Sequence, residues 1–220
     1  MQPGPGKMDS SDVIDSPPPR PPRLHDRAPD FSARTTRGEK RLSDYRGRWL
    51  VLFSHPADFT PVCTSEFIAL ARRQAEFTAI GCELMALSVD SLYSHLAWLR
   101  DIHDRFGVRV EFPIIEDPSM TIGQAFGMIG PDSPDSTTVR ATFVIDPSGI
   151  IRAISWYPMT VGRSVEELLR LVQALQAADR EGASTPAGWT PGQALLEPAA
   201  TDLDTALGSG DLWYFRERGT

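Results

Sequence analysis

Residues 49–77 read WLVLFSHPADFTPVCTSEFIALARRQAEF. The opening WLVLF is a continuous apolar run of strand length, the mark of a strand buried on both faces. A polar loop follows, carrying His55, Pro56 and Thr60. Cys63, Phe67, Leu70 and Phe77 then recur at helical spacing, so a helix starts here with Cys63 in its first turn, on or near the buried stripe. The loop therefore sits at the carboxyl end of a strand, where open α/β sheets place their ligands. Unpaired first-turn N–H groups and the helix dipole stabilise an anion there, and the thiolate is the nucleophilic form of cysteine. Position alone leaves two readings open: a reactive thiolate and an inert, buried helix cysteine.

The flanking segments continue the alternation. APDFSARTTRGEKRLSDYRG, residues 28–47, reads as a short hairpin and turn, and CELMALSVD, residues 82–90, as a second core strand. SLYSHLAWLRDIHDRFG reads as a helix with Leu92, Leu96, Leu99 and Phe106 on one face and Gly107 as its stop. FPIIED is a third strand, and MTIGQAFGMIG a short helix weakened by glycine. ATFVIDPSGIIRAISWY is a hairpin turned at Asp146-Pro147-Ser148-Gly149. GRSVEELLRLVQALQAADREG is a helix with a capping box, Ser164 and Glu167, and a Gly182 stop. Strands alternating with helices, then a closing hairpin and final helix, give an α/β fold: a central mixed sheet flanked by helices on both faces.

The ends differ. Seven of the nineteen prolines lie in the first 22 residues, including PPPRPP, so residues 1–27 are expected to be a disordered arm. PPPRPP also fits an SH3-type ligand; a solvated tail is the simpler reading. Residues 28–182 form the main domain. Residues 183–220, rich in Gly, Pro and Ala but carrying Trp189, Trp213, Tyr214 and Phe215, suit a small extension packing on another surface. Composition limits the function. The 220 residues are 41% hydrophobic with net charge −7, which speaks against a broad nucleic-acid surface. No apolar run reaches the ~20 residues of a membrane span, and no secretory leader is visible. Two cysteines make no disulfide framework, so a reducing cytoplasm is the default.

A wider pattern separates the two readings of Cys63. SHPADFTPVCTSE holds P-x-x-x-T-x-x-C at Pro56, Thr60 and Cys63 and closely resembles the active-site signature of peroxiredoxins; the leading LFSHP is similar to the 1-Cys, peroxiredoxin-six-like branch. LMALSVDS, HLAWLRDI, FPII, RATFVIDPSG and YPMTVGRS follow in the family's order, and STPAGWTPGQ resembles the start of the branch's C-terminal extension. The resemblance covers roughly residues 28 to 195 and implies a thioredoxin-like fold. It implies that Cys63 is the peroxidatic cysteine, attacking peroxide to form a sulfenic acid. Thr60 and the Cys63 backbone N–H would supply donors to the charge that builds on sulfur and oxygen. Arg140 would hold the thiolate and polarise the peroxide, Pro56 would shield the sulfur, and Glu66 would orient the arginines. His55 would border the pocket as a donor, or be a satisfied loop histidine. Arg163 would be a second active-site arginine, or a surface ion pair.

Cys82 opens a strand beside Leu84 and matches no resolving-cysteine motif, so it reads as a small buried hydrophobe. An external thiol (thioredoxin, glutathione or similar) must then reduce the sulfenic acid. The expected substrates are hydrogen peroxide and small alkyl hydroperoxides, without a cofactor or metal. The resemblance also implies a homodimer, or a higher ring, with the extension reaching the partner. His95 and His103, eight apart on one helix, lie too far apart to share an ion without further ligands and are expected at the surface. The chain departs from the branch in one respect. Some members are credited with phospholipase activity built on G-x-S-x-G, but DYRGRWLVLF carries no serine there. Two rivals remain: a redox sensor or holdase switched by Cys63 oxidation, and a disulfide reductase, against which the missing C-x-x-C speaks.

Overall fold

The computed structural model describes residues 20–130, 133 and 135–219. Most of the expected proline-rich arm, residues 1–19, lies outside them. The chain opens with a hairpin, β1 (Ser32–Thr35) and β2 (Gly38–Arg41), and a 3-10 turn at Leu42–Tyr45. Then come β3 (Trp49–Ser54), α1 (Pro61–Ala79), β4 (Cys82–Ser88), α2 (Leu92–Phe106), β5 (Ile114–Glu116) and α3 (Thr121–Ala125). The hairpin β6 (Arg140–Ile145) and β7 (Ile151–Tyr157) and the long α4 (Val165–Glu181) complete the main unit. Seven strands form one sheet in the order β2-β1-β5-β4-β3-β6-β7. β3 runs parallel to β4 and antiparallel to β6, so the sheet is mixed as expected.

All six residues of β3 are buried, which explains its unbroken apolar sequence. Alternate side chains serve two cores. Trp49, Val51 and Phe53 join Phe67 of α1, Trp98 of α2 and Leu169 of α4 on one face. Leu50 and Leu52 meet Leu42, Tyr45, Ile122 and Phe126 on the other. The helices start and stop where their caps require. Pro61 occupies the first turn of α1 after Thr60, where its missing N–H costs nothing. Ser164 accepts from the Glu167 backbone N–H at the start of α4. Gly107 (φ 64°) and Gly182 (φ 57°) end α2 and α4 in the left-handed conformation that glycine adopts without strain.

Helix α2 is turned differently from its leucine pattern. Leu96 is 44% and Phe106 49% exposed, while His95, Trp98 and Ile102 are buried. His95 was expected at the surface and is instead fully enclosed. A buried polar residue on the core face shifts the apparent apolar stripe, and here a carboxylate satisfies it. His103 is exposed as expected.

Ordered pairing begins earlier than residue 28. His25 N donates to Ile151 O at 2.9 Å, Ile151 N donates to Asp26 O at 3.0 Å, and Ala28 N donates to Gly149 O at 3.0 Å. This short stretch lies antiparallel beside the β6–β7 turn, a site that proline content does not reveal. At the other end Trp189 and Leu195 pack on Ala174, Ala177 and Ala183. Two short strands, β8 (Leu195–Leu196) and β9 (Glu217–Arg218), pair around α5 (Leu203–Gly208). Leu203 (72%) and Leu207 (75%) project from α5 into solvent.

The Phe67 ring lies 4.5 Å from Trp98, 5.3 Å from Phe112 and 5.8 Å from Phe53, centroid to centroid. Phe67→Ala is therefore expected to lower the unfolding free energy by about 3–5 kcal/mol in a urea titration. A loss under about 1 kcal/mol would mean that this core is not close-packed.

Candidate active site

Thr60 is the N-cap of α1, in extended conformation, and Cys63 stands three residues later, fully buried. β6 lies next to β3 in the sheet, so Arg140, its first residue, enters the same end of the sheet as the loop after β3. Arg140 Nη1 donates to Cys63 Sγ at 3.3 Å and to Glu66 Oε2 at 2.8 Å. Its Nε and Nη2 both donate to the Met159 carbonyl, at 3.0 and 2.8 Å. The guanidinium is thus held on two sides, with one nitrogen left facing sulfur.

Glu66 lies one turn beyond Cys63 on α1 and receives a second arginine. Arg163 Nε and backbone N donate to Oε1, and Nη2 donates to Oε2, all at 2.8 Å. Arg163 also donates to the Ala141 carbonyl at 2.9 Å. Its side chain is only 7% exposed, so it belongs to the buried cluster rather than to a surface pair. Burial pushes the Glu66 carboxyl up, but the hydrogen bond and charge of Arg163, with the charge of Arg140, outweigh it and leave it below the ordinary value. Two guanidinium cations against one carboxylate leave one positive charge facing the sulfur.

The loop is self-bracing. Thr60 Oγ1 donates to the Ala57 carbonyl at 2.8 Å, so in this conformation the hydroxyl proton is already engaged. Thr64 Oγ1 donates to the Thr60 carbonyl at 2.7 Å. Pro56 is buried. His55 was expected either to border the pocket as a donor or to be a satisfied loop histidine. It is fully buried, its Nε2 lies 2.9 Å from Asp58 Oδ1, and its Nδ1 has no hydrogen-bond partner among the described residues. Asp58 Oδ2 lies 2.8 Å from His95 Nδ1. The donor atoms of His55, Asp58 and His95 fall within 4.8 Å of one another. Hydrogen bonds through Asp58 link all three side chains. Burial pushes the Asp58 carboxyl up, but hydrogen bonds from His55 and His95 prevail and hold it at about 2. Burial pushes His55 down, so the ring is neutral near neutral pH.

Residues 24–154 match the AhpC/TSA family model, and residues 174–208 match the C-terminal domain of 1-Cys peroxiredoxin. A peroxiredoxin of Aquifex aeolicus is 53% identical over 171 residues, covering 77% of each chain. The chain belongs to the peroxiredoxin family, in its 1-Cys branch. A Thermoplasma volcanium peroxiredoxin is 46% identical over 184 residues, 84% of this chain and 90% of that one. Among solved structures, a yeast mitochondrial 1-Cys peroxiredoxin, described for thiol resolution via glutathione/thioredoxin systems, superposes with a TM-score of 0.81. It is 39% identical and covers 90% of this chain and 99% of its own. The thioredoxin-like fold and thiol-dependent peroxidase activity follow from this membership.

Within this peroxiredoxin the sequence motif gathered Cys63, Glu66, Arg140 and Arg163 into one cluster. It did not reveal Asp58, which sits inside the motif string, nor the Met159 carbonyl, because a backbone oxygen leaves no residue-type signal. Cys82 is buried, with its thiol pushed up to about 12 by burial first and by Glu83 second. It stands opposite Trp49 at the start of β3, whereas Cys63 lies beyond the strand's end, so a strand of roughly 17–20 Å separates them. Both cysteines are unpaired.

Two outcomes are expected. Glu66→Gln removes the anion between two buried cations and should cost about 3–5 kcal/mol of stability by denaturant unfolding; a cost below 1 kcal/mol would contradict the buried cluster. Asp58, at about 2 when folded against an ordinary 3.8, stabilises the fold above its ordinary value, and that contribution fades as pH falls through its folded value. Asp58→Asn should therefore show a shallower loss of stability below pH 3.8 than the wild type, by about 2 kcal/mol across the window. Parallel acid limbs in the two proteins would show that Asp58 is not held as an anion.

Proposed function

We propose that this peroxiredoxin reduces hydrogen peroxide and small alkyl hydroperoxides with Cys63 as the attacking group. The observation that carries the reading is the Arg140 N–H aimed at Cys63 Sγ from 3.3 Å, with Glu66 and Met159 fixing the guanidinium behind it. The Cys63 thiolate attacks one peroxide oxygen. An S–O bond forms, the O–O bond breaks, and the leaving oxygen takes a proton and departs as water or alcohol. Sulfur is oxidised to the sulfenic acid and the peroxide is reduced. Arg140 stabilises the charge shared between sulfur and the two oxygens. The Cys63 backbone N–H at the start of α1 is a second donor, and the Thr60 hydroxyl a third once it turns from Ala57. Pro56 limits water at the sulfur, and Glu66 orients both Arg140 and Arg163.

Two external thiols complete the cycle. The first displaces water from the sulfenic sulfur, the second resolves the mixed disulfide, and Cys63 returns as a thiol. The separation of Cys82 from Cys63 supports an outside reductant, and the yeast relative's glutathione/thioredoxin systems support thioredoxin or glutathione for this role. We place the protein in a reducing cytoplasm, which its two unpaired cysteines favour. Among the described residues no helix is long and apolar enough to cross a membrane. The exposed apolar side chains of residues 203–215 favour a homodimer in which this extension is covered. A non-catalytic sensor is not favoured, since the curated relatives are peroxiredoxins.

Cys63→Ser is expected to abolish peroxide turnover with a dithiol while Cys82→Ala keeps it; turnover in the Cys63 variant would overturn the assignment. Excess peroxide without a thiol should add two, then three, oxygens to Cys63 in intact mass spectra. A dominant loss of two hydrogens mapped to a Cys63–Cys82 peptide pair would contradict the 1-Cys cycle.

A further inference from the structure

His95 lies on the face of α2 that packs against the loop of residues 55–60. Its Nδ1 stands 2.8 Å from Asp58 Oδ2, and its Nε2 stands 3.3 Å from the Ile115 carbonyl of β5. A carbonyl and an ionised carboxylate only accept, so each of these two His95 contacts is a hydrogen bond through a proton on the ring nitrogen concerned. His55 Nε2 meets the other oxygen of the same carboxylate and must donate as well. A neutral imidazole that donates from Nε2 has a bare lone pair at Nδ1. That nitrogen of His55 is the one buried without a hydrogen-bond partner among the described residues. The His55 ring is clamped between Trp98, stacked at 5.2 Å, and Phe67, edge-on at 4.8 Å, one turn from Cys63 on α1. Other charges facing the cluster are fixed too. Asp90 accepts from the Asp58 backbone N–H at 3.0 Å, and Glu116 of β5 is paired with Arg34 and accepts from Leu92 N.

We propose that His95 is a positioning residue for the Cys63 site: acting through Asp58, it fixes His55 as the Nε2–H tautomer and pins the loop that ends in Thr60. The P-x-x-x-T-x-x-C motif around Cys63 includes no residue on α2, yet α2 supplies the partner that holds the loop's carboxylate. The inference rests on Cys63 being the peroxidatic cysteine for its kinetic part and on hydrogen bonding alone for its tautomer part. The chain of contacts is continuous, running from Ile115 through His95 and Asp58 to His55. Both carboxylate oxygens of Asp58 are used, so loss of the His95 donor leaves one of them buried and unpaired.

The test uses two substitutions that divide the two contacts of His95. His95→Asn sets an amide nitrogen where Nδ1 stood and keeps the bond to Asp58. His95→Gln sets it where Nε2 stood, keeps the bond to Ile115 and drops Asp58. The readout is the single-turnover rate constant for Cys63 oxidation by hydrogen peroxide in the reduced, full-length protein, with a melting curve for each variant. The Asn variant should stay within about threefold of wild type, and the Gln variant should slow roughly tenfold, the effect of losing one hydrogen bond to a charged group. Equal rates for the two variants, or a Gln variant within about twofold of wild type, would overturn the proposal. The wild-type protein gives a second reading that needs no variant. Histidine labelled with nitrogen-15 should show His55 protonated at Nε2 and bare at Nδ1. A His55 proton on Nδ1 overturns the proposal even where both variants fail to fold. A wild-type protein inert to peroxide would count against the peroxidase reading, and the nitrogen spectrum would still decide the tautomer.

Discussion

The site depends on one unbalanced charge cluster. Glu66 takes three hydrogen bonds from Arg163 and one from Arg140 inside a nearly closed interior. Buried charges are tolerated only when paired and hydrogen-bonded. The cluster meets that condition for all but one unit of charge, which faces Cys63. An apolar pocket would leave the sulfur inert. Here the Arg140 guanidinium stands 3.3 Å from the sulfur, and under the proposed mechanism the same donors would meet the charge that develops during attack on peroxide.

The fold exists in a form that brings this cluster together. β3 delivers the loop and α1, while its antiparallel neighbour β6 begins with Arg140 at the same end. The turn after β7 returns Met159 and Arg163 to that end as well. Buried on both faces, β3 cannot slip by one residue without exchanging its two cores, so its register is strongly fixed. Precision at sulfur is therefore inherited from the packing of Val51, Phe53, Leu50 and Leu52.

Much of this was legible in the sequence. The apolar run of β3, the helical spacing after Cys63 and the Asp146–Gly149 turn each carry a local physical signal, and the structure places all three where those signals lie. The site's charged residues were legible through the motif resemblance, since residue type and order sufficed. Helix α2 was not, because its core face holds His95, and a histidine read as polar rotates the apparent stripe toward Leu96 and Phe106. The loop carboxylate of Asp58 and the Ile115 carbonyl, which no local pattern places beside His95, explain that burial. Contacts to backbone oxygens such as Met159 O, and the pairing of residues 25–28 beside the hairpin, have no residue-type signature at all.

In the proposed mechanism the Arg140 guanidinium, held by Glu66 and Met159, activates Cys63. The most direct measurement is the stopped-flow rate constant of reduced protein with hydrogen peroxide for wild type, Arg140→Lys and Arg140→Met. Rates are expected to fall in that order: Lys keeps a charge but loses the planar fork, and Met loses both and slows the reaction by orders of magnitude. An Arg140→Met protein that stays folded and reacts within about threefold of wild type would contradict it.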